Sequence, residues 1–156
     1  KRQNNRPRAG ADVGDAFLHA STLPRLHASL YPSILRFTAI DLSPEALSLA
    51  RENAEALGLA GCVRFVLGNG CSALAPGSMD IIVSNPPYIA AARIHLLRQI
   101  VLDATQALRP GGRLFLEIGD DQGLALRRLL DCAGYTDVVI AKDFAGHDRY
   151  AEGTLR

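Results

Sequence analysis

The sequence predicts an α/β fold, a doubly wound and mostly parallel sheet with helices on both faces. Two observations carry this expectation. Short apolar, β-branched runs near 35–42, 63–67, 80–84 and 113–118 alternate with stretches whose apolar residues recur at helical spacing. The chain then closes on two strand-like runs separated only by the turn Ala145-Gly146-His147, which adds an antiparallel hairpin at one edge.

The elements follow in order. The strand at 35–42 places Phe37, Ala39 and Ile40 in the core and ends on Asp41. Ser43 then caps a helix, because its hydroxyl accepts from an otherwise unpaired N–H of the first turn. Pro44 suits the first helical position, where no N–H is needed, and Glu45 lies near the positive end of the helix dipole. Leu47, Ala50, Ala54 and Leu57 share one helical face, and Gly58 ends the helix. The strand at 63–67 leads into Gly68-Asn69-Gly70, and the strand at 80–84 into Asn85-Pro86-Pro87-Tyr88. A helix over 90–108 stops before Arg109-Pro110-Gly111-Gly112, whose glycines turn the chain into the strand at 113–118. On that strand Glu117 is expected to alternate away from Phe115. A helix over 122–133 is closed by Gly134, and strands near 137–142 and 149–154 complete the chain.

Composition limits the function classes. The 156 residues are 48% hydrophobic and 21% charged, which fits one soluble globular core and excludes a disordered chain. No apolar run approaches the roughly 18 residues that span a bilayer, and the N-terminus lacks the apolar stretch of a signal peptide. Cys62, Cys71 and Cys132 are odd in number and form no C-x-x-C pair, so a reducing cytoplasm fits best. His19, His27, His95 and His147 share no ligand-like spacing, and no metal is expected. Net charge is +1 but uneven: residues 1–40 carry six Lys/Arg against two Asp, the remainder eleven against fourteen acids. Lys1, Arg2, Arg6 and Arg8 make residues 1–10 a basic, disordered lead ahead of a domain at 11–156. Such a lead is either a solvated tail or a contact for RNA or an acidic protein.

Asn85-Pro86-Pro87-Tyr88 carries the chemistry. Each proline fixes its own φ and pushes the preceding residue out of the helical region, so Asn85 and Pro86 are held extended. Neither proline has an N–H to satisfy. What remains is the Asn85 amide, successive backbone carbonyls and the Tyr88 ring. Carbonyl oxygens accept the two hydrogens of a planar –NH2 group while an aromatic face packs on its plane. The plainer reading is a proline-rich turn capping a strand.

This motif resembles that of amino-methylating enzymes, and the rest of the chain narrows the resemblance. FTAIDLSPEALSLARENAEALGL at 37–59, IVSNPPYI at 82–89, LRPGGRLFLEIG at 108–119 with Gln122, and DFAGHDR at 143–149 resemble bacterial release-factor glutamine methyltransferases of the HemK/PrmC type. The resemblance covers most of the chain from about residue 37. It implies the seven-stranded class I, Rossmann-like methyltransferase fold and S-adenosylmethionine as cofactor. It implies methyl transfer to the side-chain amide nitrogen of a glutamine in a peptide-chain release factor, by a monomer without membrane or direct nucleic-acid contact. The catalytic residues would be Asn85, Pro86, Pro87 and Tyr88. The cofactor contacts would be Asp12, Gly14, Asp41, Leu42, Asn69, Gly70 and Asn85, with Asp41 on the ribose hydroxyls and Asn69-Gly70 at the adenine ring. Asp148 and Arg149 are expected to pair locally as a structural feature.

The first third departs from the family pattern. Where the family has Gly-x-Gly-x-Gly after its first strand, only Asp12-Val13-Gly14-Asp15-Ala16-Phe17 stands here, and Pro24 interrupts the helix expected at 15–31. The family's longer segment after Ile89 and its N-terminal helical domain also have no counterpart. A nucleic-acid adenine methyltransferase would use the same four residues but needs a basic groove beside Tyr88. A truncated, non-catalytic remnant of the fold is the second alternative. A nicotinamide dehydrogenase lacks its Gly-x-Gly-x-x-Gly fingerprint here.

Overall fold

The computed structural model describes residues 36–86 and 93–156. Its elements run β1 (Phe37–Asp41), α1 (Pro44–Ala56), β2 (Val63–Leu67), β3 (Met79–Ser84), α2 (Arg93–Ala107), β4 (Leu108–Glu117), α3 (Gly123–Cys132), β5 (Tyr135–Lys142) and β6 (Asp148–Leu155). Short 3-10 turns occupy Ala60–Cys62 and Gly70–Ala73.

β1 and β2 pair in parallel, from Phe37 opposite Val63 to Asp41 opposite Leu67. The other four strands form a sheet in the order β3-β4-β6-β5. Within it β3 and β4 are parallel, and β6 runs antiparallel to both β4 and β5. Each parallel pair needs a crossover, and α1 and α2 supply them. The described residues thus hold six strands, in sheets of two and four. The first strand and helix expected around Asp12 to Tyr31, the basic lead at 1–10, and residues 90–92 of the helix expected at 90–108 lie outside the described residues.

Local rules explain the helix that follows Asp41. Ser43 Oγ accepts from Ala46 N at 3.1 Å and Pro44 takes the first helical position. Leu47 and Ala54 are buried, Ala50 is half-buried, and Leu57 is exposed as the C-cap. Gly58 at φ +71° ends the helix in the left-handed conformation that a side chain would strain.

The main core lies on one face of the four-stranded sheet. Ile82, Leu114, Leu116 and Ala151 pack there against Leu97 and Val101 of α2 and Leu126 and Leu130 of α3. Tyr135 is also buried; its hydroxyl lies 3.3 Å from the Thr105 hydroxyl, which itself donates to Val101 O at 2.7 Å. Burial raises the Tyr135 pKa, so the phenol stays neutral. On the opposite face Ile81 and Val83 are exposed, and Phe115 is half-buried beneath the Arg113 guanidinium, 4.7 Å from its centroid. Glu117 shares the Phe115 face instead of alternating away from it, because residues two apart in a strand point the same way.

β4 begins earlier than the strand expected at 113–118. Met79 already pairs with Leu108, and the register jumps before Ile81 pairs with Arg113. Residues 109–112 absorb the jump as a bulge: Gly111 sits at φ +78°, and a Cβ on Gly112 would lie 2.8 Å from Arg109 O. The exposed Arg109–Asp80 pair beside it, at 2.5 Å, contributes little.

Candidate active site

β3 ends on Ser84, whose neighbour across the sheet is Leu116, so Asn85 and Pro86 emerge at the carboxyl edge of two parallel strands. Ligands of doubly wound sheets bind at this edge. Both residues are partly buried. Asn85 Oδ1 is buried and, among the described residues, accepts no hydrogen bond. An orphaned buried acceptor costs about 1–3 kcal/mol, and buried polar atoms are paired in nearly all native structures. An unpaired carbonyl oxygen at a strand tip therefore fits an N–H donor brought by a ligand. Pro87 and Tyr88, expected to stiffen and stack, lie outside the described residues.

The second cluster stands at the carboxyl edge of β1 and β2. Asp41 Oδ1 accepts from Ser43 N at 2.7 Å, and Gly68 N donates to Asp41 O at 3.0 Å. The first bond holds the carboxylate in an Asx turn at the start of α1. Among the described residues this is the hydrogen bond that the Asp41 carboxylate accepts, through Oδ1, which leaves Oδ2 as the candidate oxygen for a ligand. Leu42 is exposed beside it. The Gly68 bond draws the loop after β2 against Asp41, and the exposed Asn69-Gly70 follow directly, with Gly70 at φ +53°. Cys71 and Leu74 then pack on the core of the larger sheet and tie this loop to it.

The third feature at the carboxyl edge is the β5–β6 hairpin. Glu117 faces Tyr150, and Ile118 N donates to Arg149 O at 2.9 Å, so the turn between β5 and β6 emerges at the end of β4 that adjoins Asn85. Asp143 N donates to His147 O and Gly146 N to Asp143 O, at 2.8 and 3.0 Å, enclosing a three-residue loop with Gly146 at φ +85°. Asp143 organises that loop. Its Oδ1 accepts from Ala145 N and His147 N, and its Oδ2 from Arg149 Nε and a terminal guanidinium nitrogen at 3.2 and 2.8 Å. Arg149 therefore pairs with Asp143 and not with Asp148, as the sequence neighbour suggested. Asp148 instead accepts from Lys142 Nζ at 2.8 Å. The alternation of a strand turns adjacent side chains to opposite faces, which separates Asp148 from Arg149.

The Arg149 hydrogen bonds, with those from the His147 and Ala145 amides, lower the Asp143 pKa from 3.8 to about 2. The depressed value sets the sign: the carboxylate supports the hairpin above about pH 4, and that support is lost as pH falls through about 2. A carbon NMR titration of the Asp143 carboxyl is expected to give its midpoint near 2. A midpoint at the ordinary value would contradict the clamp.

The base of the hairpin rests on α3. A Cβ added at Gly123 would collide with the Asp148 carboxylate and lie 2.9 Å from Ile140 Cγ2. Gln122 Oε1 accepts from Gly119 N at 2.9 Å and shapes the loop just before. Gly123→Ala is expected to destabilise the fold by about 1–3 kcal/mol through overpacking, read as a lower midpoint in urea. An unchanged midpoint would show that Asp148 moves aside freely.

The family model for the methyltransferase small domain matches residues 22–143. The chain belongs to that family. Among curated proteins, the release factor glutamine methyltransferases of Cereibacter sphaeroides and Vibrio cholerae are 41% and 39% identical over alignments of 140 and 142 residues. These alignments cover 75% and 76% of this chain, but only 50% and 49% of the relatives. The chain thus spans about half the length of the curated relatives it matches. Among solved structures, a methyltransferase from Pyrococcus furiosus superposes with a TM-score of 0.64 at 25% identity, covering 76% of this chain and 62% of that one. A SAM-dependent O-methyltransferase from Thermotoga maritima gives 0.64 at 13% identity over 77% of this chain and 49% of that one, which speaks for the fold alone. The α/β Rossmann-like class expected from the alternation of elements is the fold of these methyltransferases.

Within the family domain, Asn85 and Pro86 stand at the β3 tip, and Asp41, Leu42, Asn69 and Gly70 stand together at the β1–β2 edge. Asp12 and Gly14 lie outside the described residues. Cys71, packed on the core, has its thiol pushed up to about 11 by burial and, less, by the Asp103 charge, so it is no nucleophile at neutral pH. Sequence reasoning missed the Asp143 clamp. The Asp-x-x-Gly spacing of a three-residue hairpin was the available signal.

Proposed function

We propose that this chain carries the catalytic part of an enzyme that methylates the side-chain amide nitrogen of a glutamine in a peptide-chain release factor, with S-adenosylmethionine as donor. The observation that carries the reading is the buried, unpaired Asn85 Oδ1 at the tip of β3. Its support is twofold: the likeness to proteins named release factor glutamine methyltransferase, and the chemistry of an acceptor that lacks a donor. The assignment takes residues 11–156 as the methyltransferase domain behind a basic lead at 1–10. It places the enzyme in the cytoplasm as a monomer. Among the described residues no helix is long and apolar enough to cross a membrane.

The residues present fit the cofactor. Asp41 offers its second carboxylate oxygen to a ribose diol while the first stays anchored on Ser43 N. Asn69-Gly70 supply an exposed amide and open backbone for the adenine, with Leu42 alongside; Asp12 and Gly14, which the family resemblance adds to the set, lie outside the described residues. When bound, S-adenosylmethionine supplies a sulfonium-activated, electrophilic methyl group.

An amide nitrogen is a poor nucleophile because its lone pair is delocalised. Asn85 Oδ1 accepts one N–H of the substrate –NH2, and the Pro86 carbonyl accepts the other. The two bonds fix the plane of the amide and aim the nitrogen's lone pair toward the donor side of the site. They also stabilise the positive charge that grows on nitrogen, since both acceptors are in place beforehand. By the family resemblance Tyr88 would pack on the amide plane and Pro87 would stiffen the frame; both lie outside the described residues. The N–CH3 bond forms as the S–CH3 bond of the donor breaks, and the N-methylated amide, strongly acidic while it carries the extra proton, loses that proton to water.

Mass spectrometry of an unmodified release factor, incubated with the chain and S-adenosylmethionine, tests the reading. One added methyl group on a glutamine is expected. Methyl label found only on adenine in added nucleic acid would move the assignment to the adenine-modifying enzymes. No transfer to either would leave the chain a non-catalytic remnant of the fold.

A further inference from the structure

We propose that Phe144, at the tip of the β5–β6 hairpin, is an anchor that docks the protein substrate, its ring entering an apolar depression on that partner beside the glutamine to be methylated. This deepens the proposed function and rests on its reading that the amide belongs to a protein.

Position is the first support. The hairpin leaves the sheet at the end of β4 that neighbours the β3 tip, with Glu117 facing Tyr150 and Leu116 facing Ser84. β3 and β6 flank β4, so the base of the hairpin stands about 10 Å, two strand spacings, from Asn85. A folded protein presenting one side chain to Asn85 must cover this ground.

The second support is that the turn has no use for an aromatic ring at 144. Its geometry is set by Asp143, Gly146 and Arg149, and Phe144 makes none of the turn's hydrogen bonds. At 114% relative exposure its ring packs on none of the described residues. The other exposed large apolar side chains among the described residues are partly covered; this one is fully presented.

Rigidity is the third. The clamp on Asp143, the Lys142 bonds to Gly146 O and Asp148 at 3.1 and 2.8 Å, and the seat of Asp148 against Gly123 fix the arm on which the ring stands. On a fixed backbone a Phe side chain has few torsions of its own to lose on docking, which is why aromatic residues serve as anchors at interfaces.

Charge selects the class of partner. The hairpin and the adjoining loop carry Asp120, Asp121, Asp143 and Asp148 against Lys142 and Arg149, with His147 beside Asp120 at 3.6 Å. An acidic surround repels a phosphate backbone and suits a protein whose depression is rimmed by basic side chains.

The test compares the chain with its Phe144→Ala variant. Affinity for an unmethylated, folded release factor is measured by biolayer interferometry, and methyl transfer to that protein and to a short glutamine-bearing peptide is followed in parallel. The variant is expected to bind the folded protein at least about tenfold more weakly, with KM for the protein raised in step. Its kcat, its KM for the peptide and its thermal midpoint are expected to match the parent's. Equal affinities, or no binding by either chain, would overturn the docking role. A lowered thermal midpoint or an equal rise in peptide KM would make Phe144 a structural residue instead, and a loss of affinity only for an oligonucleotide would assign it to nucleic acid. Absence of methyl transfer by the parent chain is a separate result, which sinks the functional reading and leaves the affinity comparison to decide the docking.

Discussion

Asn85→Ala is expected to lower methyl transfer to glutamine about a hundred- to a thousandfold, the loss seen when a single preorganised polar group is taken from a reacting centre. The effect should fall on kcat, because the hydrogen bond strengthens as charge grows on the nitrogen and is weaker in the ground state. Stability should move the other way or not at all. The Asn85 oxygen is buried and unpaired, so removing it relieves a desolvation cost of about 1–3 kcal/mol, against which stands only a small cavity. Single-turnover kinetics and a thermal melt on one preparation separate the two effects. A variant that is inactive because it is unfolded would deny the site role, as would one with parental turnover.

Asp41→Asn is the second large effect. The substitution keeps an oxygen for Ser43 N, now 2.7 Å from Oδ1, and so preserves the Asx turn at the head of α1. It removes the charge offered to the ribose hydroxyls. A hydrogen bond to a charged group contributes about 1.5–3 kcal/mol, so affinity for S-adenosylhomocysteine should fall about ten- to a hundredfold in calorimetric titration. The thermal midpoint without ligand should stay near the parent's. Equal affinity in the two chains would mean that Asp41 serves the turn alone.

These two residues were legible in the sequence because each follows a short apolar run and precedes turn chemistry that leaves few conformations open. Asp41 is followed by the Ser43 cap and Pro44, and Asn85 by two prolines. The strand at Val63–Leu67 and the helix capped by Ser43 were legible for the same local reason. What escaped the sequence depends on which side chains meet. Arg149 reaches Asp143 across the hairpin turn, where the Asp-x-x-Gly spacing signals the loop but not the partner, and Asp148 rests on Gly123, 25 positions earlier, which no local pattern specifies. β4 starts at Leu108, not Arg113, because pairing with Met79 extends it through a Pro-Gly-Gly stretch that by itself reads as a turn. The unpaired state of Asn85 Oδ1 is likewise a property of packing, which composition and spacing do not encode.

The most direct measurement is the proton–nitrogen NMR spectrum of a release-factor segment labelled with nitrogen-15 at its glutamine side chain, bound to the chain in the presence of S-adenosylhomocysteine. Both –NH2 protons should move downfield on binding the parent chain, and one of those shifts should vanish with Asn85→Ala. Resonances that stay at their free positions on the parent chain while the segment is bound would contradict the account, because the amide would then not be held by these acceptors.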